Sequence, residues 1–223
     1  MTPLVLAVDT THEYGSLALL RGAETLEEMP LHSPSGFAHV LYPRLAELLE
    51  RHGVSAAQIA CFAAASGPGS FTGVRVGLTA VKGLAEALGR KAVAVSNLRA
   101  LSCFGSRTLR AAVLDARRGE IYGAVYDAAA RLVAPETVAP FGRWLATLPD
   151  GDLEFVSPDF APFRSELEGT RYAAAAVVTA PRAIAGAIGR LAVACFEAGD
   201  AQDPAALDAN YVRRSDAELF WKE

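Results

Sequence analysis

The feature that most constrains this fold is a glycine-rich turn, residues 66–78, which lies between an apolar run and a long helical segment. It reads Ser-Gly-Pro-Gly-Ser-Phe-Thr-Gly-Val-Arg-Val-Gly-Leu. The run before it, 59–65, predicts a buried strand, and residues 71–88 predict a helix. Glycine permits close backbone approach, and a helix N-terminus carries unpaired N–H groups. The turn therefore favours either an anion site that includes Gly69 and Ser70, or close packing of the strand against the helix.

Two nucleotide-binding motifs do not fit this turn. A P-loop needs lysine directly after its second glycine, but Gly73 is followed by Val74. A dinucleotide-binding turn needs its third glycine one residue earlier and an acidic residue after the next strand, and the predicted strand 92–95 ends without one. An NADP-binding oxidoreductase, with Arg99 at the 2′-phosphate, remains a third hypothesis.

The predicted helix 71–88 has two neighbouring apolar rows. A single row is enough to dock a surface helix on its own sheet. The second row therefore indicates either a helix central to its own fold or a helix that also contacts another subunit. The first row comprises Val74, Leu78, Val81, Ala85 and Leu88, and the second comprises Gly73, Gly77, Ala80, Leu84 and Ala87.

The composition indicates a compact globular protein. Of 223 residues, 52% are hydrophobic and 21% are charged, and the formal charge of −4 gives no global attraction to nucleic acid. Cys61, Cys103 and Cys195 lie far apart, which predicts reduced thiols and neither a disulfide framework nor a zinc site. The sequence shows no signal peptide and no apolar run of membrane-spanning length. We therefore expect a cytoplasmic protein without membrane association.

The order of elements indicates two related lobes. Asp9 and Asp115 each end an apolar strand and are followed by a short polar turn and another strand. This repeat predicts an α/β protein with an N-terminal lobe, 1–105, and a C-terminal lobe, 106–223. Pro43 should kink its helix or mark a late start. The predicted strands are 4–8, 16–20, 25–29, 59–65, 92–95, 111–115, 121–126, 131–138 and one near 155, and the predicted helices are 36–52, 71–88, 141–148 and 181–198, with a short helix from Asn97.

Four segments spread over nearly the whole chain carry a family resemblance. They are the glycine turn, the opening Leu-Ala-Val-Asp-Thr-Thr at 6–11, the segment Leu-Asp-Ala-Arg-Arg-Gly-Glu-Ile-Tyr at 114–122 and the ending Tyr-Val-Arg at 211–213. Together they resemble the TsaB (YeaZ) family, the accessory subunits of the bacterial machinery that makes threonylcarbamoyladenosine (t6A) in tRNA.

The resemblance implies an actin-like (ASKHA, ribonuclease H-like) fold of two related lobes, each a mixed sheet with helices. It implies a non-catalytic scaffold that binds and activates TsaD. Through TsaD, this scaffold would support threonylcarbamoyl transfer to N6 of adenosine 37 in tRNAs reading ANN codons. It also implies a heterodimer with TsaD, recruitment of the ATPase TsaE and self-association as a homodimer when the chain is alone. Contact with tRNA would come only through the complex.

The histidines do not match the catalytic relatives. Those relatives hold a metal through His-x-x-x-His, because histidines four apart share one face of a helix. This chain has only His12, His32, His39 and His52, and no two of them have that spacing. No Gly-x-Ser-x-Gly elbow supports the peptidase label attached to relatives. We therefore expect no catalytic residue and no metal ligand.

An actin-like ATPase or phosphotransferase that uses Asp9 and Asp115 is the alternative hypothesis. Active members place glycine-rich phosphate loops after these carboxylates, whereas here the following residues are Thr-Thr-His and Ala-Arg-Arg. We expect no cofactor on the chain alone, with ATP or ADP and a metal bound together with the partner subunits. A nucleotide or anion contact at Asp9, Gly69 and Ser70 is retained as an alternative. The arginine pairs Arg117–Arg118 and Arg213–Arg214 favour solvated positions, with contact to tRNA phosphate as the alternative.

Helices 36–52 and 71–88 are the predicted docking surface for TsaD, or for a second copy of the chain. Small residues such as Gly77 and Ala80 would allow close helix approach, so a large residue at either position should weaken association while the monomer stays folded. The predicted interface residues are His39, Tyr42, Phe71, Thr72, Val76, Gly77, Thr79, Ala80 and Gly83.

Overall fold

A computed structural model describes residues 2–213, which form two mixed five-stranded sheets with helices packed against them. The strands are β1 (Leu4–Asp9), β2 (Tyr14–Arg21), β3 (Glu24–His32), β4 (Cys61–Gly67), β5 (Lys91–Ser96), β6 (Leu109–Arg117), β7 (Glu120–Asp127), β8 (Leu132–Pro140), β9 (Leu153–Ser157) and β10 (Ala176–Thr179). The helices are α1 (Leu41–Arg51), α2 (Phe71–Ala87), α3 (Asn97–Ser102), α4 (Phe141–Leu145) and α5 (Ala185–Glu197). Short 3-10 helices cover Ala56–Gln58, Ala161–Leu167 and Pro204–Ala206. The α/β class and every predicted strand and helix are confirmed.

The first sheet has the strand order β3-β2-β1-β4-β5, with β1 antiparallel to β2 and parallel to β4. Side chains alternate between its two faces. Leu17 and Leu19 of β2 lie in the core beneath α1 and α2. The neighbouring Leu20 points to the other face, where it contacts Gly189 of α5. Because helices cover both faces, the central strand β1 is a continuous apolar run.

The second sheet has the strand order β10-β9-β6-β7-β8. An aromatic cluster forms its core on the side of α4 and the 3-10 helix Ala161–Leu167. The ring centroids of Phe141 and Phe163 are 5.2 Å apart, and those of Phe155 and Phe160 are also 5.2 Å apart. Large aromatic side chains bury much apolar surface in few residues, which suits this smaller unit.

The chain divides into two compact units at a different place from the one predicted. Among the described residues, the first unit comprises 2–97 and 182–210, and the second comprises 98–181 and 211–213. Helix α5 packs on β1, β2, β4 and β5 of the first sheet. The predicted ranges 1–105 and 106–223 are therefore wrong for residues 98–105, which belong to the second unit, and for residues 182–210, because the chain returns to its first sheet after completing the second.

Two helices begin later than predicted, and one observed strand was not predicted. Helix α1 begins at Leu41, so Pro43 lies in its first turn, where a missing N–H breaks no helical hydrogen bond. The late start, one of the two predicted effects of Pro43, is thus confirmed. Helix α5 begins at Ala185, four residues later than predicted. Strand β10 was not predicted, because its four residues lack an alternating pattern and lie at a sheet edge.

Candidate functional site

The glycine turn packs directly against the turn between β1 and β2. A Cβ atom at Gly69 would lie 2.6 Å from the carbonyl oxygen of Thr11, and one at Gly77 would lie 2.7 Å from Thr10 Oγ1. A Cβ atom at Gly73 would overlap the carbonyl oxygen of Thr10. Side chains at these positions would clash, so the close approach of the two turns explains why these residues are glycine.

Ser70, one of the predicted anion contacts, forms its hydrogen bonds within the chain. The N–H of Ser70 donates to the carbonyl oxygen of Thr11 at 2.7 Å. Ser70 Oγ caps α2 by accepting from the N–H of Gly73 at 3.3 Å. Thr10 Oγ1 donates to the carbonyl oxygen of Gly73 at 2.7 Å. These bonds favour the packing interpretation of the turn over the anion site at Asp9, Gly69 and Ser70.

Asp9 belongs to a buried hydrogen-bond network. Its Oδ1 accepts from the N–H of Thr11 at 2.9 Å and from Thr11 Oγ1 at 2.7 Å. Thr11 Oγ1 in turn accepts from Asn97 Nδ2 at 2.7 Å, and Asn97 Oδ1 accepts from the N–H of Gly67 at 3.0 Å. Asp9 is 1% exposed and Asn97 is fully buried. Buried polar groups need such partners, so this network joins the β1–β2 turn to the glycine turn.

Asp115 has a different environment in the second unit. Its side chain is 43% exposed, and its Oδ1 accepts from the N–H of Arg117 at 2.7 Å. The carboxylate therefore closes the turn between β6 and β7. Arg213 lies against the same turn, where its guanidinium donates to the carbonyl oxygen of Ala116 at 2.8 Å and binds the carboxylate of Glu120. Arg214 lies outside the described residues.

A groove of about 440 Å³ lies between the start of α2 and the start of α1. Tyr42 and Phe71 are 51% and 42% exposed, which is high for large hydrophobic side chains. The guanidinium carbon of Arg75 lies 3.7 Å from the centroid of the Phe71 ring, in cation–π geometry. We call this feature the α1–α2 groove. Its lining residues are Ala38, Leu41, Tyr42, Phe71, Thr72, Arg75, Val76, Thr79 and Ala80.

Most of the predicted interface residues meet at this groove. Of the nine, six line it: Tyr42, Phe71, Thr72, Val76, Thr79 and Ala80. His39 is exposed beside the lining residue Ala38. Gly83 is exposed further along α2, where an added Cβ would have no heavy atom of residues 2–213 within 4 Å outside the nearby backbone of its own helix. These eight residues therefore lie together or close by on α1, α2 and the segment before α1, but Ala80 is only 3% exposed and belongs to the core, so the prediction that a large residue there leaves the monomer folded is wrong.

Gly77 is a correction to the predicted interface. It is buried and faces Thr10 and Val8 of its own fold, with an added Cβ 3.7 Å from Val8 Cγ1. A large residue here would disrupt the monomer, contrary to the prediction. Small residues on a helix indicate that another segment packs closely against it, but they do not show whether that segment belongs to the same chain or to another subunit. Arg75 was missed as a groove residue, although its position four after Phe71 places both on one helical face.

Other features of the described chain are structural. Burial raises the pKa of the Cys61 thiol to about 12, which disfavours the reactive thiolate form. Within residues 2–213, no group of three or more His, Cys, Asp or Glu side chains could hold a metal ion. None of the helices in this range is long and apolar enough to span a bilayer.

Comparison with known sequences gives matches to proteins of t6A biosynthesis. The family model described as "TsaD: tRNA N6-adenosine threonylcarbamoyltransferase" matches residues 29–163. The tRNA threonylcarbamoyladenosine biosynthesis protein TsaB of Bacillus subtilis is 30% identical over 98% of this chain and 98% of its own length.

Comparison with solved structures supports the same relationship. YeaZ from Pseudomonas aeruginosa superposes with a TM-score of 0.80 at 26% identity, covering 94% of this chain and 99% of that one. The activator of 2-hydroxyisocaproyl-CoA dehydratase from Clostridium difficile, solved with bound ADPNP, superposes with a TM-score of 0.54 at 8% identity, covering 88% of this chain and 96% of that one, which is a likeness of fold alone. The predicted actin-like fold of two lobes is confirmed.

Proposed function

The chain belongs to the TsaB (YeaZ) family of t6A biosynthesis proteins, and from this we propose that it is a non-catalytic subunit that binds and activates TsaD. In this role it supports threonylcarbamoyl transfer to N6 of adenosine 37 in tRNAs reading ANN codons. It recruits TsaE as part of the same complex and acts in the cytoplasm. Its contact surface for TsaD is the α1–α2 groove.

The observation that carries this proposal is the exposure of two aromatic side chains at the groove. Tyr42 and Phe71 are half exposed in the chain alone. Aromatic residues are strongly favoured in the buried centres of protein interfaces, so this exposed pair supports a contact surface here. The floor of the groove is made of small and aliphatic residues, including Val76 and Ala80, which allow a helix to approach closely. Burying this surface against a partner would stabilise the complex through the hydrophobic effect.

The likeness to the TsaD family model suggests how the two subunits pair. Because the chain matches that model over residues 29–163, which include α1 and α2, TsaD should carry a corresponding pair of helices. Two related surfaces can pair about an approximate twofold axis, as identical surfaces do in a homodimer. The same groove would therefore serve TsaD in the complex and a second copy when the chain is alone.

The second candidate, an actin-like ATPase or phosphotransferase, is less well supported. It needs a phosphate site between the turn after Asp9 and the glycine turn. The backbone of Thr10 and Thr11 fills that space, and the N–H of Ser70 already has Thr11 as its partner. We propose instead that ATP or ADP and a metal are bound together with the partner subunits.

The test is t6A formation in a purified mixture of TsaD, TsaE, threonylcarbamoyl-adenylate and tRNA, with and without this chain. We expect product to require the chain and to tolerate Asp9→Asn, which keeps an acceptor oxygen in the buried network. Equal product without the chain would refute the activator role. Loss of product with a folded Asp9→Asn variant would favour the phosphotransferase candidate.

A further inference from the structure

The turn between β6 and β7 holds two adjacent arginines in a backbone conformation that favours glycine. The φ angles are 64° at Arg117, 57° at Arg118 and 75° at Gly119. Among non-glycine residues in the described range, only Ala130 also has a positive φ. A Cβ atom destabilises this conformation, and asparagine and glycine are the residues that two-residue hairpin turns favour. The arginines therefore lower the stability of the fold at this position.

Contacts around the turn hold it in this conformation. Arg117 pairs in register with Glu120, so Arg118 and Gly119 are the two central residues of the turn. Asp115 accepts the N–H of Arg117, and Arg213 joins the carbonyl oxygen of Ala116 to the carboxylate of Glu120. Strained backbone persists where the surroundings over-determine it, and such places are often functional sites.

Among residues 2–213, the charges at this turn are three guanidinium groups and two carboxylates. The Arg213 side chain is 19% exposed and engaged with Glu120, and its Cζ lies 5.6 Å from the Tyr122 ring centroid. The Arg117 side chain is 86% exposed, with Nη1 3.5 Å from Asp115 Oδ2. An exposed ion pair of this length contributes little to stability, so the Arg117 guanidinium can turn to a stronger anion at little cost.

We propose that Arg117 and Arg118, at the tip of the β6–β7 hairpin, form a contact site for the phosphate backbone of RNA. This inference rests on the proposed function, in which the complex handles tRNA. Guanidinium groups bind phosphate oxygens through two parallel N–H bonds. Because the whole chain has a net charge of −4, such contact depends on local cations. Binding of this kind is salt-dependent and independent of base sequence.

The test replaces both arginines by asparagine in the complex with TsaD. The Arg117→Asn/Arg118→Asn variant relieves the backbone strain, because asparagine tolerates a positive φ, and it removes both charges. We expect Tm of the isolated chain to rise by about 2 °C or more. We expect the affinity of the complex for unmodified tRNA to fall about fivefold or more, and the slope of log K against log salt to fall by about 1 to 2.

Two variants separate charge from strain and position. Arg143→Asn/Arg164→Asn removes the same charge from exposed positions of the same unit, and we expect it to leave tRNA affinity unchanged. Arg117→Lys/Arg118→Lys keeps charge and strain but loses the paired N–H bonds of guanidinium, and we expect it to keep the salt slope of the wild type with an affinity between those of the wild type and the Arg117→Asn/Arg118→Asn variant. Unchanged affinity and salt slope in the Arg117→Asn/Arg118→Asn variant, or an equal loss in the control, would overturn the proposal.

Sedimentation without RNA distinguishes this proposal from the proposed function. If the Arg117→Asn/Arg118→Asn chain no longer binds TsaD while the wild type does, the turn is a protein contact and the RNA proposal is wrong. If the wild type itself fails to bind TsaD, the proposed function is wrong, and the inference that depends on it falls as well.

Discussion

At the residue scale, the glycines of α2 differ in what a side chain would meet. Gly73 faces the backbone of Thr10, which cannot move without disturbing β1, whereas Gly83 faces open space. We predict that Gly73→Ala lowers the free energy of unfolding by about 2 kcal/mol, as overpacking of a rigid site does. We predict that Gly83→Ala raises it by about 0.5–1 kcal/mol, because alanine favours a helix.

Urea unfolding of both variants measures this difference, and the two changes are chemically identical within one helix. A Gly73→Ala variant as stable as the wild type would show that the glycine turn does not pack tightly on the β1–β2 turn. The phosphate-site interpretation of the turn would then regain support.

Glu27 gives a prediction of pH dependence. Its pKa is lowered from the ordinary value of 4.5, chiefly because it accepts a hydrogen bond from His52 Nε2 at 2.8 Å and also because Arg51 lies close. A carboxyl group with a lowered pKa in the folded state stabilises the fold above its unfolded pKa and loses this effect as pH falls through the folded value.

We therefore predict that Glu27→Gln is less stable than the wild type at pH 7, and that this difference shrinks as the pH falls below about 4. Thermal unfolding across pH 3 to 7 measures it, with exposed Glu50→Gln on α1 as the control. A stability difference that does not change with pH would mean that the charge of Glu27 has no role in stability.

The sequence predicts the surface of α2 well and its buried side less well. Six of nine predicted interface residues line the α1–α2 groove, because apolar rows and exposed aromatics follow helical periodicity. Gly77 was misassigned because its neighbour Thr10 is distant in sequence. No local pattern shows which segment a small residue will contact.

At the scale of elements, the start of α5 depends on strands far away in the sequence. The N–H of Gly186 donates to Glu28 Oε1 of β3 at 2.9 Å, and the N–H of Ala185 donates to Ser16 Oγ of β2 at 2.9 Å. A carboxylate at a helix N-terminus satisfies unpaired N–H groups and complements the helix dipole. Glu28 thus fixes α5 on the first sheet.

We predict that Glu28→Gln lowers the free energy of unfolding by about 1 kcal/mol, because it removes the negative charge at the start of α5. Glutamine has nearly the same shape, so packing should not change. In a chain of this size the corresponding fall in Tm is about 2–4 °C. Glu24→Gln, at the exposed start of the same strand, should leave Tm unchanged. Equal effects of the two substitutions would contradict a specific role for Glu28 at the helix start.

The placement of α5 also shows why the predicted lobe boundary was wrong. Its apolar periodicity predicts the helix itself, but not the sheet that it covers. The contacts with Ser16 and Glu28 join residues more than 150 positions apart. Such pairings are outside the reach of patterns read from a short window of sequence.

At the scale of the whole molecule, the central claim is that the α1–α2 groove binds TsaD. The groove joins residues of α1 and α2 that lie within the first unit. Thr79 is exposed on its wall, so a change there can block a partner without disturbing the core. Thr79→Arg places a long charged side chain at this surface, and a charge buried without a counterion strongly disfavours an interface.

The most direct measurement is sedimentation velocity of TsaD mixed with the wild type, with Thr79→Arg and with Ala128→Arg, which adds the same charge at an exposed turn of the second unit. We predict a heterodimer with the wild type and with Ala128→Arg. We predict that Thr79→Arg keeps the Tm of the wild type and weakens the heterodimer at least about 100-fold. Undiminished heterodimer formation by Thr79→Arg would contradict the assignment of the groove as the TsaD contact.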